Sequence, residues 1–453
     1  MVEAHSATFT LNTKNQTEYL LGIKDDFTSP QLAALNVNGD GVIDVADIVS
    51  RVNQFLYVPL DFPTIQQAID EATDGDEIVV SPGTYVENIF FKGKNIVLRS
   101  TDPSSNTIRE TTIIDGNLVG SVVTFDGTEG CACTLAGFTI TNGVGTYFGT
   151  RFDGLELYGG GGIHGGGTDT DEGTHATIEY NIVRDNRSTT RTFGNFSARG
   201  SGIWNCDGLI QYNIVKCNIR ENTEGIIRPE FIGSGIMQCD GIIQYNLIEE
   251  NEGNGGGGLS NCLATFIQYN VIRNNIARNG AGLNACGGII QNNLIYNNTA
   301  TEFDGGGIND VGFYDTPPII QNNIIVGNHA TFGFFGAGSG AAVFLSTIRN
   351  CIIWGNTSDD GVQYAGDSIP SYCDIEGWTG GGEGNFSLDP RFVDAMNFNF
   401  RLLPGSPCID TGSSATLFLD FDGNPRPLDG DGQGAGSTGD GSDYDIGAFE
   451  FVP

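Results

Sequence analysis

Apolar and polar positions recur through the middle of the chain in one short element: isoleucine, any residue, tyrosine or asparagine, asparagine, two aliphatic residues, any two residues, asparagine. Its asparagines form two columns, always five residues apart, and successive copies start 23 to 33 residues apart. A period in this range predicts stacked structural units. A seventh copy has Cys351 in the first column and Asn356 in the second. The other six carry the pairs Asn181 and Asn186, Asn213 and Asn218, Asn246 and Asn251, Asn270 and Asn275, Asn293 and Asn298, and Asn323 and Asn328.

The two columns predict tight corners between short strands. Asparagine tolerates the left-handed backbone region that such a corner needs. Stacked copies can also pass amide hydrogen bonds along a column. Aliphatic pairs between the columns, such as Ile214-Val215 and Leu247-Ile248, suit short strands.

A second, glycine-rich element precedes each copy and predicts a further strand. Each coil therefore contains about three short strands, which makes the chain all-β and predicts a parallel β-solenoid. A β-sandwich with regular turns would not hold two columns in fixed register. The glycine-rich starts are Gly162-Ile163, Gly202-Ile203, Gly235-Ile236, Gly258-Leu259, Gly282-Leu283 and Gly307-Ile308.

Four cysteines share one position, three residues after the apolar residue of the strand start. Cys206, Cys239, Cys262 and Cys286 are therefore expected to stack as a column of buried thiols. Four thiols in a line cannot converge on zinc tetrahedrally. Cys373 and Cys408 remain a candidate disulfide, so the cysteines do not fix the redox compartment.

The chain divides into an N-terminal module (1–58), the solenoid (59–380) and a tail rich in glycine and aspartate (381–453). Ile65, Ala68, Ile69 and Ala72 form an apolar stripe with helical spacing. This stripe predicts a helix at about 64–73 that covers the open end of the solenoid. The tail is expected to pack on the other end. Its acidic segment 420–426 predicts a solvated loop or a weak calcium site.

The N-terminal module contains a loop with the ligand spacing of a calcium site. Its oxygen ligands stand at loop positions 1, 3, 5, 9 and 12, with Gly41 at position 6 for the sharp turn. The loop resembles a dockerin calcium repeat, which implies calcium binding and docking onto a partner protein. Only one such loop is intact, so a calcium-stabilised structural cap is the alternative. The expected ligands are Asn36, Asn38, Asp40, Asp44, Asp47 and the carbonyl of Val42.

Three further stretches carry a resemblance that covers roughly residues 60 to 450. They run from Phe62 to Tyr85, from Leu135 to Gly143 and from Leu403 to Gly412. They are similar to the right-handed parallel β-helix proteins of the pectin-lyase-like superfamily. The resemblance implies the fold but not one function, because members include lyases, hydrolases, adhesins and fibre proteins.

Composition favours an extracellular or cell-surface location. The net charge of −34 over 453 residues disfavours nucleic acid and anionic membranes and favours calcium. No apolar run reaches membrane-spanning length. No apolar signal core follows Met1, so we expect a mature or trimmed chain.

Two groups of residues are candidate functional sites. Asp185, Glu249 and Glu250 lie beside the second asparagine column and are weak catalytic candidates, since catalytic carboxylates can lie on neighbouring coils. The longest insertions follow the same column and are rich in phenylalanine. Their aromatic residues predict an interface or sugar-binding edge, with folding back over the solenoid wall as the alternative. They are Phe193, Phe196, Phe231, Phe332, Phe334 and Phe335.

Two functional hypotheses follow. The first is an extracellular, non-catalytic structural or adhesive protein, stabilised by calcium, that assembles head to tail into filaments or binds a cell-surface, matrix or glycan partner. The second is a secreted polysaccharide-degrading enzyme, a lyase or glycoside hydrolase, with a docking repeat. Bases are scarce in the middle of the solenoid, with only Arg273 and Arg278 between Arg228 and Arg349, and this favours the first hypothesis.

Overall fold

The chain is an all-β parallel β-helix, as the repeat predicts. Three long sheets of parallel strands run side by side, with eleven, eleven and eight strands. The computed structural model describes residues 54–150, 156–167, 172–189, 196–221, 235–309, 317–331, 339–342, 346–359, 362–365, 368–430, 432 and 442–453. The predicted calcium loop (36–47) lies outside these ranges, as do Phe193, Phe231, Phe332, Phe334 and Phe335.

Eight successive coils each contribute one strand to every long sheet, and the coils at the two ends lack one or two of these strands. The first sheet contains Phe55–Val58, Glu77–Val80, Val97–Ser100, Thr134–Ala136, Thr177–Glu179, Leu209–Gln211, Ile242–Gln244, Phe266–Gln268, Ile289–Gln291, Ile319–Gln321 and Thr347–Arg349. The second contains Gly83–Val86, Thr112–Asp115, Thr139–Thr141, Ile182–Arg184, Ile214–Lys216, Leu247–Glu249, Val271–Arg273, Leu294–Tyr296, Ile324–Val326, Ile352–Trp354 and Asp374–Ile375. The third contains Ile89–Phe90, Val123–Thr124, Ile163–His164, Ile203–Trp204, Ile236–Met237, Leu259–Ser260, Leu283–Asn284 and Ile308–Asn309.

Smaller sheets extend the corners and loops. Ile276–Ala277, Thr299–Ala300, His329–Ala330 and Thr357–Ser358 form one parallel sheet, Arg187–Thr189 pairs with Ile219–Glu221, and Ser339–Ala342 pairs with Val362–Ala365. Thr146–Thr150, Glu156–Gly159 and Phe196–Arg199 form a three-stranded sheet, and Phe392–Asp394 pairs with Asn399–Leu402. Within the described residues the helical segments are Ile65–Glu71, Asn106–Thr111 and the 3₁₀ turn Ala395–Asn397. No helix in the described ranges is long and apolar enough to cross a membrane.

The core is built from stacked aliphatic side chains. In the three-residue strands the middle residue points inward, so Ile210 meets its equivalents Ile243 and Ile267 on the next coils. All three are fully buried. Because strands alternate their faces, the flanking residues point outward. The β-branched pairs of the repeat therefore place one residue in the core and one on the surface.

The asparagines form the predicted hydrogen-bonded ladders. Asn213 Nδ2 donates to the carbonyl of Ile178 on the preceding coil (2.8 Å) and to Oδ1 of Asn246 on the next (3.1 Å). The expectation that the column asparagine itself takes the left-handed conformation is wrong in every copy of the repeat. The left-handed residue is the one before it, such as Tyr212 (φ 55°) or Glu250 (φ 56°). The asparagine lies one residue later, with its side chain buried as the ladder requires.

The cysteines of the column are buried free thiols, as predicted. Cys206 N donates to Cys239 Sγ (3.4 Å), so equivalent thiols of adjacent coils are in contact. All ten cysteines of the chain lie in the described part and are free. The candidate disulfide between Cys373 and Cys408 is therefore wrong. The thiol of Cys408 instead donates to Asp374 Oδ2 (3.4 Å).

The N-terminal end carries the predicted helix. It spans Ile65–Glu71, and the hydroxyl of Thr64 caps it by accepting from Gln67 N. Ile65, Ala68 and Ile69 are buried against the first coil. The strand Phe55–Val58 pairs with Glu77–Val80, so these four residues of the predicted N-terminal module lie in the first sheet.

The tail lies along the outer face of the second sheet, and not only on the end of the solenoid. It forms a second core in which Phe400, Ile446 and Phe449 pack on Ile324 and Ile352. The segment expected to be a solvated loop is anchored, because Asp420 and Arg426 are buried. Because the strands keep a fixed register, their outward-facing apolar residues line up as a strip on the outer face of the second sheet. The tail covers this strip.

Candidate functional site

The third sheet presents one row of outward-facing side chains that the loops cover. Its strands have two residues, of which the first points into the core and the second outward. Each member of this row is at most 7% exposed. The outer row consists of His164, Trp204, Met237, Ser260, Asn284 and Asn309.

Over His164 and Trp204 the cover is a hairpin of Thr146–Thr150 and Glu156–Gly159, extended by Phe196–Arg199. Phe148 stacks on the indole of Trp204 with ring centroids 4.4 Å apart. Glycine is required at position 159, because a Cβ there would lie 2.5 Å from the indole. This hairpin therefore folds back over the solenoid wall. For Phe196, the predicted edge residue in this sheet, only the backbone pairing is described.

Three polar atoms of the outer row are buried without a hydrogen-bond partner. They are His164 Nε2, Ser260 Oγ and Asn309 Oδ1. Leaving such an atom unpaired costs about 1–3 kcal/mol. Three such atoms in one row are atoms whose partners a bound water or a ligand would supply.

Each of the three atoms has a defined role toward a ligand. His164 Nδ1 accepts from Gly166 N (2.9 Å), which places the ring proton on Nε2 and makes that atom a donor. Burial lowers the pKa of His164 to about 4, so the ring is neutral at pH 7. Asn309 Nδ2 donates to Asn284 Oδ1 (2.9 Å), which leaves its Oδ1 as an acceptor. The hydroxyl of Ser260 can do both.

The unpaired atoms lie along the axis of the solenoid. His164 and Ser260 are three coils apart, about 14 Å at a strand spacing of about 4.8 Å. Ser260 and Asn309 are two coils apart, about 10 Å. The row carries no formal charge at neutral pH, so its chemistry suits an elongated ligand rich in hydroxyl groups.

The predicted carboxylates do not form a single cluster. Asp185 and Glu250 occupy the same corner column with Cys217 between them, and all three have left-handed backbones. Asp185 lies 3.4 Å from Arg184, and Glu250 accepts from the Cys217 thiol (3.4 Å). Burial, and then the bond to Glu250, raises the pKa of Cys217 to about 11, so the thiol stays protonated.

Glu249 points away from that corner, onto the outer face of the second sheet. It is ion-paired with Arg273 (2.6 Å), which also donates to the hydroxyl of Tyr296 (2.9 Å). The same row contains Lys216 and Arg184 on the two preceding coils. The structure thus brings three basic residues together that the sequence shows only as scattered. No group of three or more His, Cys, Asp or Glu side chains in the described ranges could hold a metal ion.

Sequence reasoning missed the outer row, although a signal was present. Each member directly follows the apolar residue of a glycine-rich strand start, as in Gly258-Leu259-Ser260. Extending each start by one residue gives the whole row. The sequence does not show that loops cover this row, because the loop lengths differ between coils.

No family model and no curated protein matches this chain. Among solved structures, the crystal structure of pectate lyase Pel9A is similar with a TM-score of 0.46 and 13% sequence identity. The alignment covers 88% of this chain and 97% of that chain.

Proposed function

We propose that this chain is an extracellular, non-catalytic adhesive β-helix protein that binds an uncharged, hydroxyl-rich glycan along the outer row of the third sheet. The observation that carries the proposal is the set of three buried polar atoms without partners, on His164, Ser260 and Asn309. Sugar hydroxyls donate and accept, so they can satisfy a histidine donor, an amide acceptor and a serine hydroxyl together. Buried polar groups that a ligand completes also give strong discrimination against ligands that lack them.

Calorimetric titration of the protein with a panel of neutral oligosaccharides tests this function. Replacement of Ser260 by alanine is expected to weaken binding at least tenfold. The same change should raise the melting temperature of the free protein, because it removes an unsatisfied polar atom.

Ser201 provides the matched control. It is also buried, but its hydroxyl donates to Ile219 O (3.1 Å), so Ser201→Ala should lower stability and leave binding unchanged. Equal effects of the two variants on binding would contradict the proposal, as would the absence of binding to any neutral oligosaccharide.

The proposal includes calcium at the N-terminal loop. The spacing of Asn36, Asn38, Asp40, Asp44 and Asp47 supports it, with the carbonyl of Val42 as a further ligand. Equilibrium dialysis should give one tightly bound calcium per chain, and Asp40→Ala should abolish it. Retention of calcium by that variant would exclude this loop.

Self-association remains part of the proposal for an adhesive role. The outer edge of the first strand is partly occupied, because Tyr57 N donates to Asp61 Oδ2 (2.9 Å) and Tyr57 O accepts from Asp61 N (2.7 Å). Filaments would therefore form through other surfaces than this edge. Negative-stain electron microscopy with and without calcium tests whether filaments form. Discrete particles under both conditions would argue against filaments.

A polysaccharide lyase is the second candidate function. The row on the second sheet favours it, since Lys216 lies between Arg184 and Glu249 and offers a base beside groups that can pair with a uronate. Lyase action on a polyuronate creates an unsaturated sugar that absorbs in the ultraviolet. An increase in absorbance that Lys216→Ala abolishes would replace the non-catalytic proposal.

A further inference from the structure

We propose that the exposed face of the first sheet is a second binding surface, which holds one chain of an uncharged, extended polysaccharide along the solenoid axis. This ladder face repeats three kinds of side chain on successive coils: an aliphatic or aromatic residue, a glutamine and a tyrosine. It lies on a different sheet from the outer row and does not depend on the function proposed there. Its nine residues are Leu209, Gln211, Tyr212, Ile242, Gln244, Tyr245, Phe266, Gln268 and Tyr269.

The glutamines and tyrosines are held in strict register. Gln244 Nε2 donates to Gln211 Oε1 (3.0 Å), and Gln268 Nε2 donates to Gln244 Oε1 (2.8 Å). The rings of Tyr212 and Tyr245 stack with centroids 5.1 Å apart and planes 9° apart. The ring planes face each other along the axis, and both rings remain more than a third exposed. The surface therefore has a repeat of one coil.

This face offers hydrogen-bonding groups to a ligand. Each primary amide has two N–H donors, and the ladder uses one of them. Tyr212 and Tyr245 are 38% and 37% exposed, and burial raises the pKa of Tyr245 above its usual value. Burial thus keeps the phenol of Tyr245 protonated, and both tyrosine hydroxyls can exchange hydrogen bonds with sugar hydroxyls. The apolar members of the face supply contacts for the C–H groups of a sugar ring.

The lack of charge on the ladder face determines which class of polysaccharide it can bind. None of the nine residues has a formal charge at neutral pH, whereas the whole chain carries −34. An acidic glycan would be repelled by the surrounding protein and would find no base among these nine residues. An uncharged polymer meets neither obstacle.

The size of the surface argues against a second copy of the chain as the partner. Three coils span about 14 Å, and the width from Leu209 to Tyr212 is about 10 Å. The resulting area of about 150 Å² is far below the roughly 800 Å² per partner of a stable protein interface. The width does fit a single polysaccharide chain. The tail bounds the face at one end, where the hydroxyl of Tyr269 donates to Leu419 O (3.2 Å).

Co-sedimentation of the intact protein with insoluble cellulose, chitin and β-1,3-glucan tests the proposal, with polygalacturonate gels as the acidic comparison. We expect retention on at least one neutral polymer and none on polygalacturonate. The double variant Tyr212→Asn/Tyr245→Asn should lose at least tenfold in affinity. Asparagine is tolerated in this backbone position, since Asn292, Asn322 and Asn350 occupy it on later coils.

Two controls separate the possible outcomes. Tyr57→Asn changes a 41%-exposed tyrosine at the far end of the first sheet and should leave retention unchanged. Ser260→Ala should also leave it unchanged, so failure of the outer row and failure of this surface are distinguishable. Unchanged retention of the double variant, with an unchanged melting temperature, would overturn the proposal. It would equally be overturned by retention on acidic polymers only, or by a wild-type dimer that the double variant abolishes.

Discussion

At the scale of single residues, the asparagine ladders explain why the repeat tolerates so little variation at these positions. Asn251 Nδ2 donates to Val215 O (2.9 Å) and to Asn275 Oδ1 (3.0 Å). Its own Oδ1 accepts from the backbone and side-chain nitrogens of Asn218 (3.1 and 3.0 Å). All these atoms are buried, so the side chain completes hydrogen bonds for two neighbouring coils at once.

Replacement of Asn251 by alanine should therefore be costly. It leaves the backbone N–H of Asn218 buried without a partner and removes one hydrogen bond from the carbonyl of Val215, and we expect a loss of about 2–4 kcal/mol in the free energy of unfolding. Chemical denaturation measures this. Thr265→Ala, at an exposed position of the next coil, should change stability by less than about 0.5 kcal/mol. Similar losses in the two variants would mean that the ladder is not a major source of stability.

The buried carboxyl of Asp374 makes the folding stability of the chain depend on pH. Burial raises the pKa of this carboxyl from 3.8 to about 7, although Leu388 N and the Cys408 thiol donate to it. Between these two pH values the folded chain holds a proton that the unfolded chain has released. The contribution of Asp374 to stability therefore falls as pH rises from about 4 to about 7.

Asp374→Asn should remove that dependence. The variant is expected to equal or exceed the wild type above pH 7, by no more than about 4 kcal/mol, and to lose the advantage near pH 4. Urea unfolding at a series of pH values measures the difference. A difference that stays constant across the series would show that the carboxyl does not titrate in this window.

At the scale of elements, the glutamine ladder of the first sheet has a direction. Each glutamine donates from Nε2 to the preceding coil, so every amide dipole has the same orientation. At the first end, Glu179 accepts from Gln211 (2.8 Å), and at the last end Arg349 donates to Gln321 (2.8 Å). A carboxylate thus meets the donor end and a guanidinium meets the acceptor end, as in a helix with favourable terminal charges.

The direction of this ladder gives a prediction at Arg349. Arg349→Gln keeps a donor facing Gln321 Oε1 and should leave stability almost unchanged. Arg349→Glu places an acceptor against an acceptor and should be less stable than Arg349→Gln by about 1–3 kcal/mol. Thermal unfolding in low and high salt measures this, and the difference should persist in high salt because the atoms are in contact. A difference that salt abolishes would indicate a long-range charge effect.

The repeat itself was predictable because stacking forces equivalent residues to meet. The asparagine columns, the thiol column and the helix Ile65–Glu71 all follow from patterns visible in one chain. The left-handed residue was misassigned, because a tyrosine such as Tyr212 gives no local signal for that conformation. The outer row was missed for another reason. Whether Ser260 is exposed or buried depends on loops that differ from coil to coil, so periodicity cannot show it.

At the scale of the whole molecule, the two largest apolar cores of the described residues lie on opposite sides of the second sheet. One fills the solenoid, and the other lies between the sheet and the tail. Two asparagines at the same corner as Tyr212 join the solenoid to the tail. Asn350 Nδ2 donates to Ser413 O (2.7 Å), and Asn292 Nδ2 donates to Leu419 O (2.9 Å). The tail thus protects an apolar strip that includes Ile324 and Ile352.

This arrangement predicts that the tail can be loosened while the solenoid stays folded. Phe449 is 3% exposed and packs edge-on against Phe421. Phe449→Ala should cost the tail about 3–5 kcal/mol. It should also expose the strip on the second sheet, seen as increased binding of an apolar dye and faster proteolysis after residue 386.

Phe418→Ala makes the same chemical change at a residue that is 80% exposed and should affect neither readout. The solenoid should keep its own unfolding transition in both variants, because its core shares none of the tail's side chains. If Phe449→Ala instead lowered the solenoid transition by the same amount, the tail and the coils would form one cooperative unit. The tail would then act as a structural part of the second sheet and not as a separable cover.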